Sequence, residues 1–151
     1  LMIQRIQSLY LFLSLLLGLI SLFIPWATYE HGEVAYVFEA FHFNAELINT
    51  TATSLLIILL SALVAVGLIS FKNRKLQMRL IKTAMFLSMM LLLGFAFDHY
   101  QNIERLKALG EVTMSYGFPI IFPVVNLILL WLAHRGVKKD EDLIRSVDRL
   151  R

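Results

Sequence analysis

Leu55–Leu56–Ile57–Ile58–Leu59–Leu60–Ser61–Ala62–Leu63–Val64–Ala65–Val66–Gly67–Leu68–Ile69–Ser70–Phe71 runs for 17 positions without a charged residue. The hydroxyls of Thr50, Thr51, Thr53 and Ser54 precede it and suit the first turn of a helix, where orphan amide groups need acceptors. Together the two pieces reach the roughly 20 apolar residues that a helix needs to cross about 30 Å of hydrocarbon. A helix this apolar on every side has no face to show to water. This stretch therefore predicts a membrane span over about residues 52–71.

Three more stretches read the same way. The first, Leu9–Trp26, has 18 residues and follows Ile3–Gln4–Arg5–Ile6–Gln7. It resembles a signal peptide in its basic start, but it lacks a small-residue cleavage site and exceeds the usual apolar core of about 7–15 residues. It predicts a retained span over about 6–27, ended by Pro25 and anchored at the interface by Trp26 and Tyr29. Another span covers about 80–98, where Met85, Met89, Met90 and Gly94 suit packing in a bundle. The last covers about 117–134. Its apolar part, Phe118–Ala133, gives only about 24 Å at 1.5 Å per residue, and Pro119 and Pro123 make it the least regular. Leu1, ahead of Met2, reads as a start-codon remnant and has no part in the functional reading.

The whole composition agrees. The 151 residues are 58% hydrophobic and 17% charged, with a mean hydropathy of +0.71, against about 25% charged in ordinary soluble domains. There is no cysteine, which excludes thiolate metal sites and disulfide chemistry. The predicted fold class is an all-α membrane protein, a bundle of four transmembrane helices, with a small β cap on the outer loops and a short amphipathic C-terminal helix.

Charge sets the predicted orientation. Arg5, Lys72, Arg74, Lys75, Arg79, Lys82, Arg135, Lys138, Lys139, Arg145, Arg149 and Arg151 fall on one side of the spans, and only Arg105 and Lys107 fall on the other. Twelve cations against two, flanking short loops, put the rich side in the cytoplasm. Both termini and residues 72–79 are then cytoplasmic, and loops 27–51 and 99–116 are periplasmic. The net charge of +3 belongs to membrane topology, so no nucleic-acid partner is expected. Membrane lipids are, in a bacterial inner membrane.

The outer loops carry strand-like sequence. Glu33–Phe38 and Glu111–Tyr116 are rich in β-branched and aromatic residues, and His31–Gly32 reads as a turn. The two segments are expected to pair as a small sheet over the helix ends, and residues 99–109 to extend the third span. Such a cap could be a lid or a docking surface. The weightier reading is a compact cover that satisfies backbone amides near the interface.

Polar residues in awkward places make a short list. Asp98 and His99 stand where the third span ends, and His42 and Glu46 lie in the first outer loop. A carboxylate, imidazole and glutamate set could hold a metal or relay a proton, but the spacing matches no ligand motif, and interfacial residues in water are the expectation. Asn126, midway along the fourth span, is expected to join helices through its amide rather than line a polar cavity. No ionisable residue lies deep in a span, and there is no GxSxG, HExxH or phosphate loop. No enzyme, cofactor or metal is expected, with a metal-dependent membrane enzyme as the remote alternative.

The C-terminal segment 139–151 predicts a separate tail helix. Asp140 suits its N-cap, Glu141 and Asp142 its first turn, and arginines its last. Leu143, Ile144, Val147 and Leu150 fall on one stripe, flanked by Arg145 and Arg149, which suits lipid or a protein partner.

The opening Met2–Ile3–Gln4–Arg5–Ile6–Gln7–Ser8–Leu9–Tyr10 and the closing Lys139–Arg151 segment resemble a family of small four-helix inner-membrane proteins of the Bacteroidetes, catalogued as a domain of unknown function. The resemblance implies a bacterial inner-membrane location and brings no activity or catalytic residue with it. The expected role is a non-enzymatic accessory or structural subunit that binds a larger membrane-protein assembly, such as secretion or envelope machinery. The alternative is a lipid or small-molecule handler with its site between the fourth span and the cap.

Overall fold

The computed structural model describes residues 2–40 and 48–148, with side chains over 6–40 and 48–146. Its elements run α1 (Met2–Ser21), β1 (Ala27–His31), β2 (Val34–Phe38), α2 (Thr51–Ile69), α3 (Arg74–Lys107), β3 (Thr113–Tyr116) and α4 (Phe122–Asp148), with short 3-10 turns at Ser70–Lys72 and Phe118–Ile121. The helices alternate in direction, and neighbours pack in a ring: α1 on α2, α2 on α3, α3 on α4, and α4 back on α1. One end of the ring carries the sheet. The other carries the turn between α2 and α3 and most of the cations.

Three stretches are long and apolar enough to cross a membrane: Thr51–Lys72, Arg74–Lys107 and Phe118–Ser146. The described apolar part of α1, Ile6–Ser21, is shorter. Only 33, 28 and 33% of the three apolar windows are buried, so the outer faces present Phe23, Ile69, Phe86, Leu93 and Phe97 openly. Soluble monomers rarely leave such continuous apolar surface in water. The chain has the surface of a membrane protein.

Local sequence explains the helix limits. Asn73 accepts the Leu76 amide at 3.1 Å and so starts α3 right after the turn. That leaves 70–73 as the whole connection, where a loop over 72–79 was expected. α3 then continues to Lys107, as the expected extension over 99–109 required, and reaches about 51 Å at 1.5 Å per residue. Pro119 lies in the 3-10 turn and Pro123 is the second residue of α4. A first turn has no use for the missing amide donors, so the prolines open the helix instead of kinking it.

Two expectations need correction here. No separate tail helix begins near residue 139, because α4 runs unbroken to Asp148. Asp140 is therefore no N-cap; it is buried on the stripe Phe122, Asn126, Leu130, Ala133, Val137, Asp140 that faces the bundle. Trp26 and Tyr29 are also not interfacial anchors, since both are fully buried.

The sheet has three antiparallel strands in the order β2-β1-β3. The two segments expected to pair with each other are its outer strands, and the unexpected β1 lies between them. Its register pairs Tyr29 with Tyr36 on one side and with Met114 on the other. Gly32, at φ +62°, is the first residue of the two-residue turn that joins β1 to β2, a place where glycine adopts positive φ without steric cost.

Candidate functional site

The polar and aromatic residues concentrate where the sheet meets the end of α3. One face of that helix buries Leu91, Phe95, Asp98, Asn102 and Leu106 at helical spacing. Trp26 fixes the sheet to the helices from three directions. Its indole N–H donates to the Ser21 carbonyl at 2.8 Å, closing α1. Its backbone N–H donates to Phe38 O at 2.8 Å, and its carbonyl accepts the Gly117 N–H at 2.9 Å. The ring packs on Phe95 at 5.3 Å and edge-on to Phe122 at 6.5 Å. Phe38 meets Phe95 edge-on at 5.4 Å.

His99 extends this aromatic column. Its ring stacks on Phe95 at 5.4 Å and on Tyr29 at 5.5 Å. Its Nδ1 lies 2.6 Å from the Tyr29 hydroxyl, and its Nε2 lies 3.2 Å from that of Tyr116. A neutral imidazole has one donor and one acceptor, and a hydroxyl serves either, so this bridge between β1 and β3 is complete without a charge. Burial holds the His99 imidazole below its ordinary pKa. Burial raises the Tyr29 phenol far above its own, outweighing the opposing hydrogen bond from Asn102, while Tyr116 and Asp98 add to the rise.

Asp98 and Asn102 face the start of α2. Asp98 Oδ2 accepts the Thr53 amide at 2.8 Å and the Thr53 hydroxyl at 2.9 Å. Thr50, the residue at the N-cap position, makes no side-chain cap, so a carboxylate from another helix satisfies this orphan donor, and its charge suits the positive helix end. Its other oxygen, Oδ1, is buried and hydrogen-bonds to no described group. Asn102 holds the backbone of Asn49 from both sides, accepting its N–H at 2.7 Å and donating to its carbonyl at 2.9 Å. Asn49 in turn donates to Gln101 at 3.2 Å and accepts the Thr51 amide at 3.1 Å.

The expected candidates do not all meet. Asp98 and His99 share the cap end of α3, but they turn to different partners, Thr53 and the two tyrosines. Asn126 is elsewhere. Its amide donates to Ser88 Oγ at 3.3 Å and its oxygen accepts the Ser14 hydroxyl, while Ser88 donates to the Pro123 carbonyl at 2.9 Å. This knot ties α1, α3 and α4 together, and Ser88 precedes Asp98 by ten residues, about 15 Å of helix. His42 and Glu46 lie outside the described residues. Among those described, no three His, Asp or Glu side chains converge as a metal site would need. An apolar cleft of about 40 Å³ lies between α1 and α4, against Leu17, Ile20, Phe118, Pro119 and Phe122, and none of Asp98, His99 and Asn126 lines it.

Of the docking candidates, Leu143 (49% exposed) and Ile144 (45%) are open, and Arg145 pairs with Glu141 at 3.2 Å. The side chain of Val147, and Arg149 and Leu150 entirely, fall outside the described residues. Tyr29, Thr53, Asn102 and Tyr116 were absent from the candidates. Only the spacing of Asn102 behind Asp98 and Phe95, one buried helix face, carried a signal for any of them.

The family described as domain of unknown function (DUF4293) matches residues 3–150. The chain belongs to that family. The match covers the two ends that carried the resemblance, apart from Met2 and Arg151, and everything between them. None of the curated proteins matches the chain, and the DUF4293 family's description names no activity.

Proposed function

We propose that this member of the DUF4293 family is a four-span protein of a bacterial inner membrane, with both termini in the cytoplasm and the sheet in the periplasm. It serves there as a non-enzymatic accessory or structural subunit of a larger membrane assembly, such as secretion or envelope machinery. The observation that carries this reading is the unbroken α4. Its 27 residues give about 40 Å, some 10 Å more than the hydrocarbon core. The surplus carries exposed Leu143 and Ile144 beyond the apolar span. An open groove of about 700 Å³ runs beside it, lined by Arg135, Lys138, Lys139, Asp142, Leu143 and Ser146. A rigid helix that presents apolar side chains at the membrane surface suits a partner's groove.

The cap supports the same reading. Asp98, His99 and Asn102 all have structural partners, so their chemistry goes into holding the sheet and α2 on α3. Photo-crosslinkers at Leu143 and Ile144 in native membranes test the proposal. One discrete adduct common to both sites is expected, and it should vanish when the other position is changed to lysine. Crosslinking to lipid alone, with the protein purifying without companions, would overturn it. The alternative, a lipid or small-molecule handler near the cap, draws on the cleft between α1 and α4, whose 40 Å³ has room for little more than the tip of an acyl chain.

A further inference from the structure

The basic end of the bundle holds a second polar cluster, unconnected with the cap. A cavity of about 200 Å³ lies there between α3 and α4. Lys82 and Met78, one turn apart on α3, form one wall. His134, Lys138, Glu141, Asp142 and Arg145 of α4 form the other.

The charges are layered along α4. His134 and Lys138 are one turn apart, and Lys82 faces them across the cavity. Glu141 and Asp142 follow in the next turn outward. Arg145 reaches back to Glu141 at 3.2 Å. Neither lysine has an ion pair with a described residue, and the buried Nε2 of His134 hydrogen-bonds to no described group. Two ammonium groups beside an imidazole repel one another, the more so at the edge of a low-dielectric region. With Arg145 paired to Glu141, the lining sets Lys82 and Lys138 against the single carboxylate of Asp142, one cation in excess. The apolar stretches begin near residue 80 on α3 and end near 133 on α4, so the cavity straddles the boundary between hydrocarbon and headgroups. A phosphate carried by a lipid sits at that depth, and basic pockets between helices on this side of a membrane are suited to headgroups. The acids one turn further out favour a headgroup that adds an ammonium to its phosphate over one that adds only hydroxyls or a second phosphate.

We infer that this cavity holds the headgroup of one zwitterionic aminophospholipid, its phosphate against Lys82 and Lys138 and its ammonium toward Asp142 and Glu141. The inference rests on the membrane reading above and places the lipid in the inner leaflet.

Native mass spectrometry of the full chain, released from nanodiscs of equal phosphatidylethanolamine, phosphatidylglycerol and phosphatidylcholine, tests it. Wild type should keep one phosphatidylethanolamine per chain in preference to the others. The double variant Lys82→Gln/Lys138→Gln should lose at least tenfold in retention, while Arg105→Gln/Lys107→Gln, at the cap end, should match wild type. Asp142→Asn should move the preference toward phosphatidylglycerol. Equal retention of all three lipids, an unchanged double variant, an unmoved preference in Asp142→Asn, or release by millimolar inorganic phosphate would each overturn the assignment, the last by giving the cations to a free anion. Carbonate extraction of the same wild-type protein separates the two levels. Release from the membrane defeats the membrane reading, whereas resistance together with a negative lipid result defeats this inference alone.

Discussion

The Asp98 carboxylate, near the end of one helix, accepts the backbone amide of Thr53 at the start of another at 2.8 Å. These residues are 45 positions apart, yet the contact performs the task usually left to a neighbouring N-cap. It gives a fully buried polar side chain two partners through one of its oxygens. The first turn of α2 supplies the donors and the favourable end of a dipole.

Replacing Asp98 by alanine should therefore strip the α2 terminus of its acceptor and destabilise the protein by about 1–3 kcal/mol, the usual cost of leaving a buried donor unmet. Asp98→Asn keeps an acceptor of the same shape without the charge and should lose less. Thermal unfolding in detergent reads both. In a double-mutant cycle, Thr53→Ala should cost little once Asp98 is alanine. Additive losses would show that the two side chains do not act through each other.

Gly117 sits where β3 leaves the sheet, and a Cβ built there would overlap the Pro25 carbonyl oxygen. Backbone cannot swing aside as a side chain can, and the Gly117 amide is tied to Trp26 O. Gly117→Ala should lower stability by well over the roughly 1–2 kcal/mol that a non-glycine residue costs in the left-handed region. Gly32→Ala is the comparison, since its φ of +62° is unfavourable but its surroundings are open. Unfolding midpoints should rank wild type, then Gly32→Ala, then Gly117→Ala. A reversed order would place Pro25 further from β3 than described.

The histidine bridge gives a pH dependence of definite sign. Burial lowers the folded pKa of His99 below the ordinary value of about 6.5. The unfolded chain then takes up the proton first as pH falls. The contribution of the neutral ring is complete above about 6.5 and is lost as pH drops from there toward the folded pKa. His99→Phe keeps the stacking on Phe95 and Tyr29 but cannot titrate. Stability measured from pH 7.5 down to 5 should fall more steeply in wild type than in this variant. Parallel curves would remove His99 from the account.

Much of this molecule was legible in its sequence, for physical reasons that also mark where legibility stopped. Long apolar runs without helix breakers announce helices, and Glu33–Phe38 and Glu111–Tyr116 announced strands through their side chains. β1 went unread because Ala27–Thr28–Tyr29 follows Pro25–Trp26, and aromatic residues beside an apolar run look like interfacial anchors. The continuity of α4 was hidden for a similar reason. Charges after Ala133 end an apolar run without ending a helix, and Asp140 has the chemistry of a cap whether or not one is there. The site was harder still. Asp98 and His99 stood out as polar residues at a span's end, but Thr53, Tyr29 and Tyr116 become partners only through folding, and no local pattern carries contacts across 45 or 70 positions.

The orientation can be tested without disturbing any of these contacts, because the chain has no cysteine and single cysteines can be placed at will. Glu33, in the turn of the sheet, and Lys75, at the first turn of α3, are both exposed. On the proposed orientation, the bias of twelve cations to two places Lys75 at the inner face and Glu33 outside. In intact spheroplasts a membrane-impermeant maleimide should label Glu33→Cys fully and Lys75→Cys only after the membrane is opened. The pattern depends on charge, so adding four lysines across the 99–116 loop should weaken it and give partial labelling of Lys75→Cys from outside. Equal labelling of both positions in sealed cells would mean that α2 does not span the bilayer, and its exposed apolar face would then need another cover.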